Sequence, residues 1–74
     1  MAIEVEVFGQ LLPGQPRQYQ FAVARPVTVA EVAAWLKLAT DEIGLISING
    51  VQSELNDIVP VDCRLCFFPP MTGG

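Results

Sequence analysis

Ile3, Val5 and Val7 alternate with Glu4 and Glu6, the two-residue period of a strand with one buried face. Leu11 to Pro16 then reads Leu-Leu-Pro-Gly-Gln-Pro, a turn cluster centred on Pro13-Gly14. Tyr19, Phe21 and Val23 alternate with Gln18, Gln20 and Ala22, which predicts a second strand and, through the short connection, an antiparallel hairpin. After Pro26 the period changes. Thr28 and Glu31 have the spacing of a capping box, and Val29, Val32, Ala33 and Leu36 form one helical stripe. A helix is expected over 29–39. Trp35 would cover the core edge, and Lys37 would sit where a positive charge suits the helix dipole.

Positions 43–48 read as a third strand, closed by the tight-turn pair Asn49-Gly50. A short edge strand follows around Val51 and Gln52. Asn56-Asp57 is turn-like, and Pro60 keeps its stretch out of a central ladder. Cys63 to Phe68 is the last strand, with Leu65 and Phe67 on one face and Arg64, Cys66 and Phe68 on the other. Pro69-Pro70 cannot continue a ladder and favours an extended exit. The order is hairpin, helix, then short strands. It predicts an α+β fold: a mixed four- to five-stranded sheet with one main helix packed on one face. A right-handed crossover would place the last strand beside the first, in parallel. This is the β-grasp, or ubiquitin-like, arrangement, with the domain over 1–68 and a flexible tail over 69–74.

Composition narrows the function. The chain has 74 residues, 51% of them hydrophobic and 16% charged, which fits one small domain with a filled core. Its net charge of −4 repels phosphate backbones, so nucleic acid is not an expected partner. A basic patch on a protein partner would suit it; the dispersed acids also fit a plain solvated surface. No apolar run approaches a membrane span, and the opening residues lack the basic and apolar segments of a secretory leader. The cytoplasm is the expected compartment.

Candidate chemistry is sparse. There is no His and no glycine-rich phosphate loop, and no Ser or Cys stands with a base, so no catalytic constellation is expected. Cys63-Arg64-Leu65-Cys66 has C-x-x-C spacing. On a strand, however, residues three apart point to opposite faces, beyond the reach of a disulfide. A metal would also need further ligands. Two small strand hydrophobes are the simpler reading. Phe68 lies opposite Leu65 and Phe67 by parity. It either forms a docking patch with Met71 nearby or folds under the tail or a loop.

The sequence closes on Phe67-Phe68-Pro69-Pro70-Met71-Thr72-Gly73-Gly74. Two glycines without Cβ can thread a channel too narrow for other residues and leave a carboxylate open to a partner's active site. With Phe67-Phe68-Pro69-Pro70, Gly73-Gly74 and the upstream Asn49-Gly50, the chain resembles the MoaD/ThiS family of sulfur carriers, and its ending is nearest the MoaD type. The resemblance implies a β-grasp fold and a protein co-substrate or small subunit rather than an enzyme. It implies adenylation of the Gly74 carboxylate by a ubiquitin-activating-type enzyme that uses ATP, then a thiocarboxylate, with Gly73 in the same channel. Sulfur would pass to a precursor held by the larger catalytic subunit of a molybdopterin-type synthase. Phe68, Pro69, Pro70, Met71 and Thr72 would be the partner-binding stretch, with no bound cofactor and no metal. A ubiquitin-like modifier conjugated through Gly74 and an inert β-grasp interaction module remain as alternatives.

Overall fold

In the computed structural model, which describes residues 2–70, β1 (Ala2–Val7) buries Ile3, Val5 and Val7 and keeps Glu4 exposed. It is joined by the 8–17 connection to β2 (Gln18–Ala22), and the two pair antiparallel. β3 (Val27–Thr28) leads straight into α1 (Val29–Trp35). A 3-10 turn over Thr40–Glu42 follows, then β4 (Leu45–Ile48), β5 (Val51–Ser53), β6 (Ile58–Val59) and β7 (Arg64–Phe68). The main sheet has the order β2-β1-β7-β4-β5. β7 runs parallel to β1 and antiparallel to β4. The expected mixed sheet, with the last strand beside the first, is the one found.

The capping box forms as expected. The Thr28 hydroxyl accepts the Glu31 N–H at 3.2 Å, and the Glu31 carboxylate accepts the Thr28 N–H at 3.1 Å. The two N–H groups between them donate elsewhere: Val29 to the Asp57 carbonyl at 3.0 Å and Ala30 to the Leu55 carbonyl at 2.9 Å. These bonds satisfy donors that a helix start leaves unpaired. They also tie the helix to the loop before β6, which pairs with β3 as a small separate ribbon. The sequence pattern had not indicated that ribbon.

The helix ends at Trp35, earlier than the expected 39. Lys37 adopts φ 57, and two bonds close the end: Lys37 N–H to the Ala34 carbonyl at 3.0 Å and Leu38 N–H to the Ala33 carbonyl at 2.9 Å. This is a Schellman cap with lysine at the left-handed position that glycine usually fills. Leu38 turns back into the core at 7% exposure. The third strand is also shorter than 43–48, because Ile43 closes the 3-10 turn and the Gly44 N–H donates to the Phe68 carbonyl.

Val29, Val32 and Ala33 of the helix join Ile3, Val5, Leu65 and Phe67 of the sheet in one core. Leu65 and Phe67 are fully buried on the helix side, as their parity required. Trp35 is 43% exposed and meets Phe21 of β2 at 5.4 Å between ring centroids. Asn49 and Gly50, at φ 52 and 84, form the β4–β5 turn with the left-handed pair that a type I′ hairpin requires. Asn49 also reaches across the sheet. Its side-chain oxygen accepts the Arg64 N–H at 2.9 Å, which pins the start of β7.

Candidate functional site

The backbone leaves the sheet at Phe68, at the centre of one end. Two glycines flank that exit. A Cβ on Gly44 would stand 2.4 Å from the Pro70 Cα and 2.6 Å from the Pro69 carbonyl oxygen. A Cβ on Gly9 would stand 2.6 Å from the Pro69 ring, and Gly9 also holds φ +67. Pro69 and Pro70 therefore lie in a slot whose walls admit no side chain. The Gly44 N–H donates to the Phe68 carbonyl at 2.8 Å, and the Phe8 N–H donates to the Phe67 carbonyl at 2.9 Å. The exit direction is set from both neighbouring strands.

Phe68 lies on the face away from the helix and stacks on Phe8, with ring centroids 4.6 Å apart and planes 7° from parallel. Both rings are half-buried. Leu45, 41% exposed, joins Gly44, Phe68, Pro69 and Pro70 around an open apolar groove. Phe68, Pro69 and Pro70 of the expected partner-binding stretch thus lie together. Met71, Thr72, Gly73 and Gly74 lie outside the described residues. The sequence reading missed Phe8, Gly9, Gly44 and Leu45. Phe8 was within reach of it: parallel pairing sets Glu6 beside Cys66, and the same register carried two residues further places Phe8 beside Phe68.

The rest of this sheet face is polar. Glu6 pairs with the Arg64 guanidinium, and Glu4, Gln18 and Gln20 stand exposed. Asp41 and Glu42 are exposed on the 3-10 turn shortly before Gly44. An apolar groove on a chain of net charge −4 suits a partner with an apolar seat and basic surroundings. Cys66 lies in register between Glu6 and Ser47 on this face and is still 92% covered, at 8% exposure. Cys63 is 3% exposed, and burial pushes its thiol above its ordinary pKa. Both cysteines are free thiols, and for Cys63 this shift favours the less reactive protonated form. Among the described residues no cluster of His, Cys, Asp or Glu could hold a metal ion, and no helix is long and apolar enough to cross a membrane.

No family model and no curated protein matches the sequence. Two solved structures match over the full length of both chains. SAMP1 from Haloferax volcanii superposes with a TM-score of 0.76 at 23% identity. A chain in the complex of subunits 1 and 2 of the molybdopterin-converting factor from Helicobacter pylori 26695 superposes with a TM-score of 0.63 at 21% identity. The likeness is one of fold, and it confirms the β-grasp arrangement.

Proposed function

We propose that this chain is a sulfur carrier of the MoaD/ThiS kind, a protein co-substrate charged at the Gly74 carboxylate. The observation that carries the reading is the slot between Gly9 and Gly44. It aims Pro69-Pro70 out of the sheet beside an apolar pair, Phe8 and Phe68. A stiff, directed exit lowers the entropy cost of presenting the residues that follow. The shared fold supports it, as does the presence of one structural neighbour in a complex of two subunits of a molybdopterin-converting factor.

In the proposed chemistry a carboxylate oxygen of Gly74 attacks the α-phosphate of ATP on an activating enzyme. Pyrophosphate leaves and an acyl-adenylate forms. A sulfide nucleophile then adds to the carbonyl carbon and AMP departs, leaving a thiocarboxylate. Two displacements replace one unfavourable exchange of oxygen for sulfur. The carrier supplies the chain end and its direction, while the partner supplies the nucleotide site and catalytic groups. The Phe8–Phe68 end would seat on the activating enzyme and then on the larger subunit that receives the sulfur, of which a molybdopterin-type synthase is the leading candidate.

The test is a variant lacking Gly73 and Gly74, assayed by ATP–pyrophosphate exchange with the activating enzyme. We expect exchange to vanish while the melting temperature stays within about 2 °C, because the core formed by the described residues contains neither glycine. Undiminished exchange would refute the proposal. Covalent conjugates to other proteins would instead favour the modifier reading.

A further inference from the structure

β2 is an outer strand of the five-stranded sheet and pairs only with β1. The Val7 N–H donates to the Arg17 carbonyl at 2.8 Å, and the register continues with Val5 opposite Tyr19 and Ile3 opposite Phe21. Bonded and non-bonded pairs alternate along an antiparallel ladder. The backbone groups of Arg17, Tyr19 and Phe21 therefore point toward β1, and those of Gln18, Gln20 and Ala22 point away from the sheet. Among the described residues, no backbone bond outside the ladders reaches those three outward positions.

We propose that a second copy of this chain docks on this edge, β2 against β2, antiparallel and with the two-fold axis at Gln20. The outward positions are symmetric about Gln20, so Gln20 meets Gln20 of the second copy and Gln18 meets its Ala22. Every outward N–H and C=O of the three residues then finds a partner, which a two-fold contact requires. The same register sets Tyr19 opposite Phe21 of the second copy at the closer, non-bonded positions. Tyr19 and Phe21 already stack at 6.2 Å, and Phe21 meets Trp35. The aromatic row would continue across the axis and cover rings that one copy leaves half-exposed.

Charge and sequence agree with this occupant. Gln18–Ala22 is Gln-Tyr-Gln-Phe-Ala, and its pairing runs unbroken without a bulge. It lacks the charges, prolines and bulges that ordinarily blunt an exposed edge. Arg17 falls opposite Val23 in the proposed register, and Arg25 is paired with Glu31 at 2.7 Å, so no like charges oppose. The opposite edge of the sheet, β5, is only three residues long and is blunted by that shortness. The contact leaves the Phe8–Phe68 face open, so it does not depend on the carrier reading.

The test combines sedimentation equilibrium with amide NMR shifts of the full chain across a concentration series. A one-strand contact is narrow, and a dissociation constant of about 100 μM is expected. The amides of Gln18, Gln20 and Ala22 should shift with concentration, while those of Tyr19 and Phe21, already bonded, should move less. Gln20→Lys should weaken the dimer about tenfold by opposing two like charges. Gln20→Pro should abolish it, because it removes an outward donor and leaves the β1 ladder intact. Phe68→Ser should leave it unchanged. A monomer at 1 mM, about tenfold above the expected constant, would overturn the proposal. So would a dimer indifferent to both Gln20 variants, or concentration-dependent shifts centred on Phe8, Leu45 and Phe68.

Discussion

Replacing Gly44 by alanine should separate the direction of the chain exit from the stability of the fold. The new Cβ would lie 2.4 Å from the Pro70 Cα, whereas ordinary contact begins at 3.4 Å, so the Pro69-Pro70 backbone must retreat by at least 1.0 Å. That retreat strains or breaks the bond from the Gly44 N–H to the Phe68 carbonyl, at a cost of about 1 kcal/mol. Alanine also restricts the unfolded chain, which returns roughly 0.4–1 kcal/mol. The net loss is under about 1 kcal/mol, or a fall in melting temperature of roughly 5 °C for a domain this size. The functional cost is larger, because a misplacement of about 1 Å can cost about 100-fold in rate. Calorimetry and ATP–pyrophosphate exchange should therefore diverge: a small shift in melting against an exchange rate down by about two orders of magnitude. Full exchange activity, or a melting loss above about 15 °C, would refute the assignment of Gly44 to exit direction.

Two further predictions concern stability. Lys37→Gly should stabilise the protein by about 1 kcal/mol in urea unfolding, because glycine relieves the left-handed conformation at the cap; a loss of stability would contradict that geometry. Stability should hold above the ordinary carboxylate range and fall as pH drops through it. Hydrogen bonds from the Arg25 side chain hold the Glu31 carboxyl low, and a bond from the Ser53 hydroxyl does the same for Asp57. Groups with a depressed folded pKa stabilise only while ionised. Glu31 is only half-buried and Asp57 is exposed, so the slope should be shallow, and Glu31→Gln with Asp57→Asn should flatten it in acid titrations followed by circular dichroism.

Much of the fold was legible because its signals are local. The alternation of Ile3, Val5 and Val7 specified β1, the Thr28–Glu31 spacing specified the helix start, and Asn49-Gly50 specified the β4–β5 turn. The parity of Leu65, Phe67 and Phe68 placed each on its observed face. The features that escaped depend on contacts distant in sequence. The β3–β6 ribbon consists of two-residue strands, too short to show a period. The helix end was overestimated because lysine, not glycine, occupies the left-handed cap. Gly9 and Gly44 carry no local sign of their role, since the need for a bare Cα arises from Pro69 and Pro70 packing against them. Of the candidate site, the aromatic-proline stretch was legible, and the slot that orients it was not.

Intact mass spectrometry of the chain after incubation with ATP, an activating enzyme and a sulfur donor tests the carrier role most directly. A carrier should gain about 16 Da, sulfur for oxygen, confined to the fragment containing Gly74. An unchanged mass, with an activating enzyme shown to charge its own known carrier under the same conditions, would contradict it.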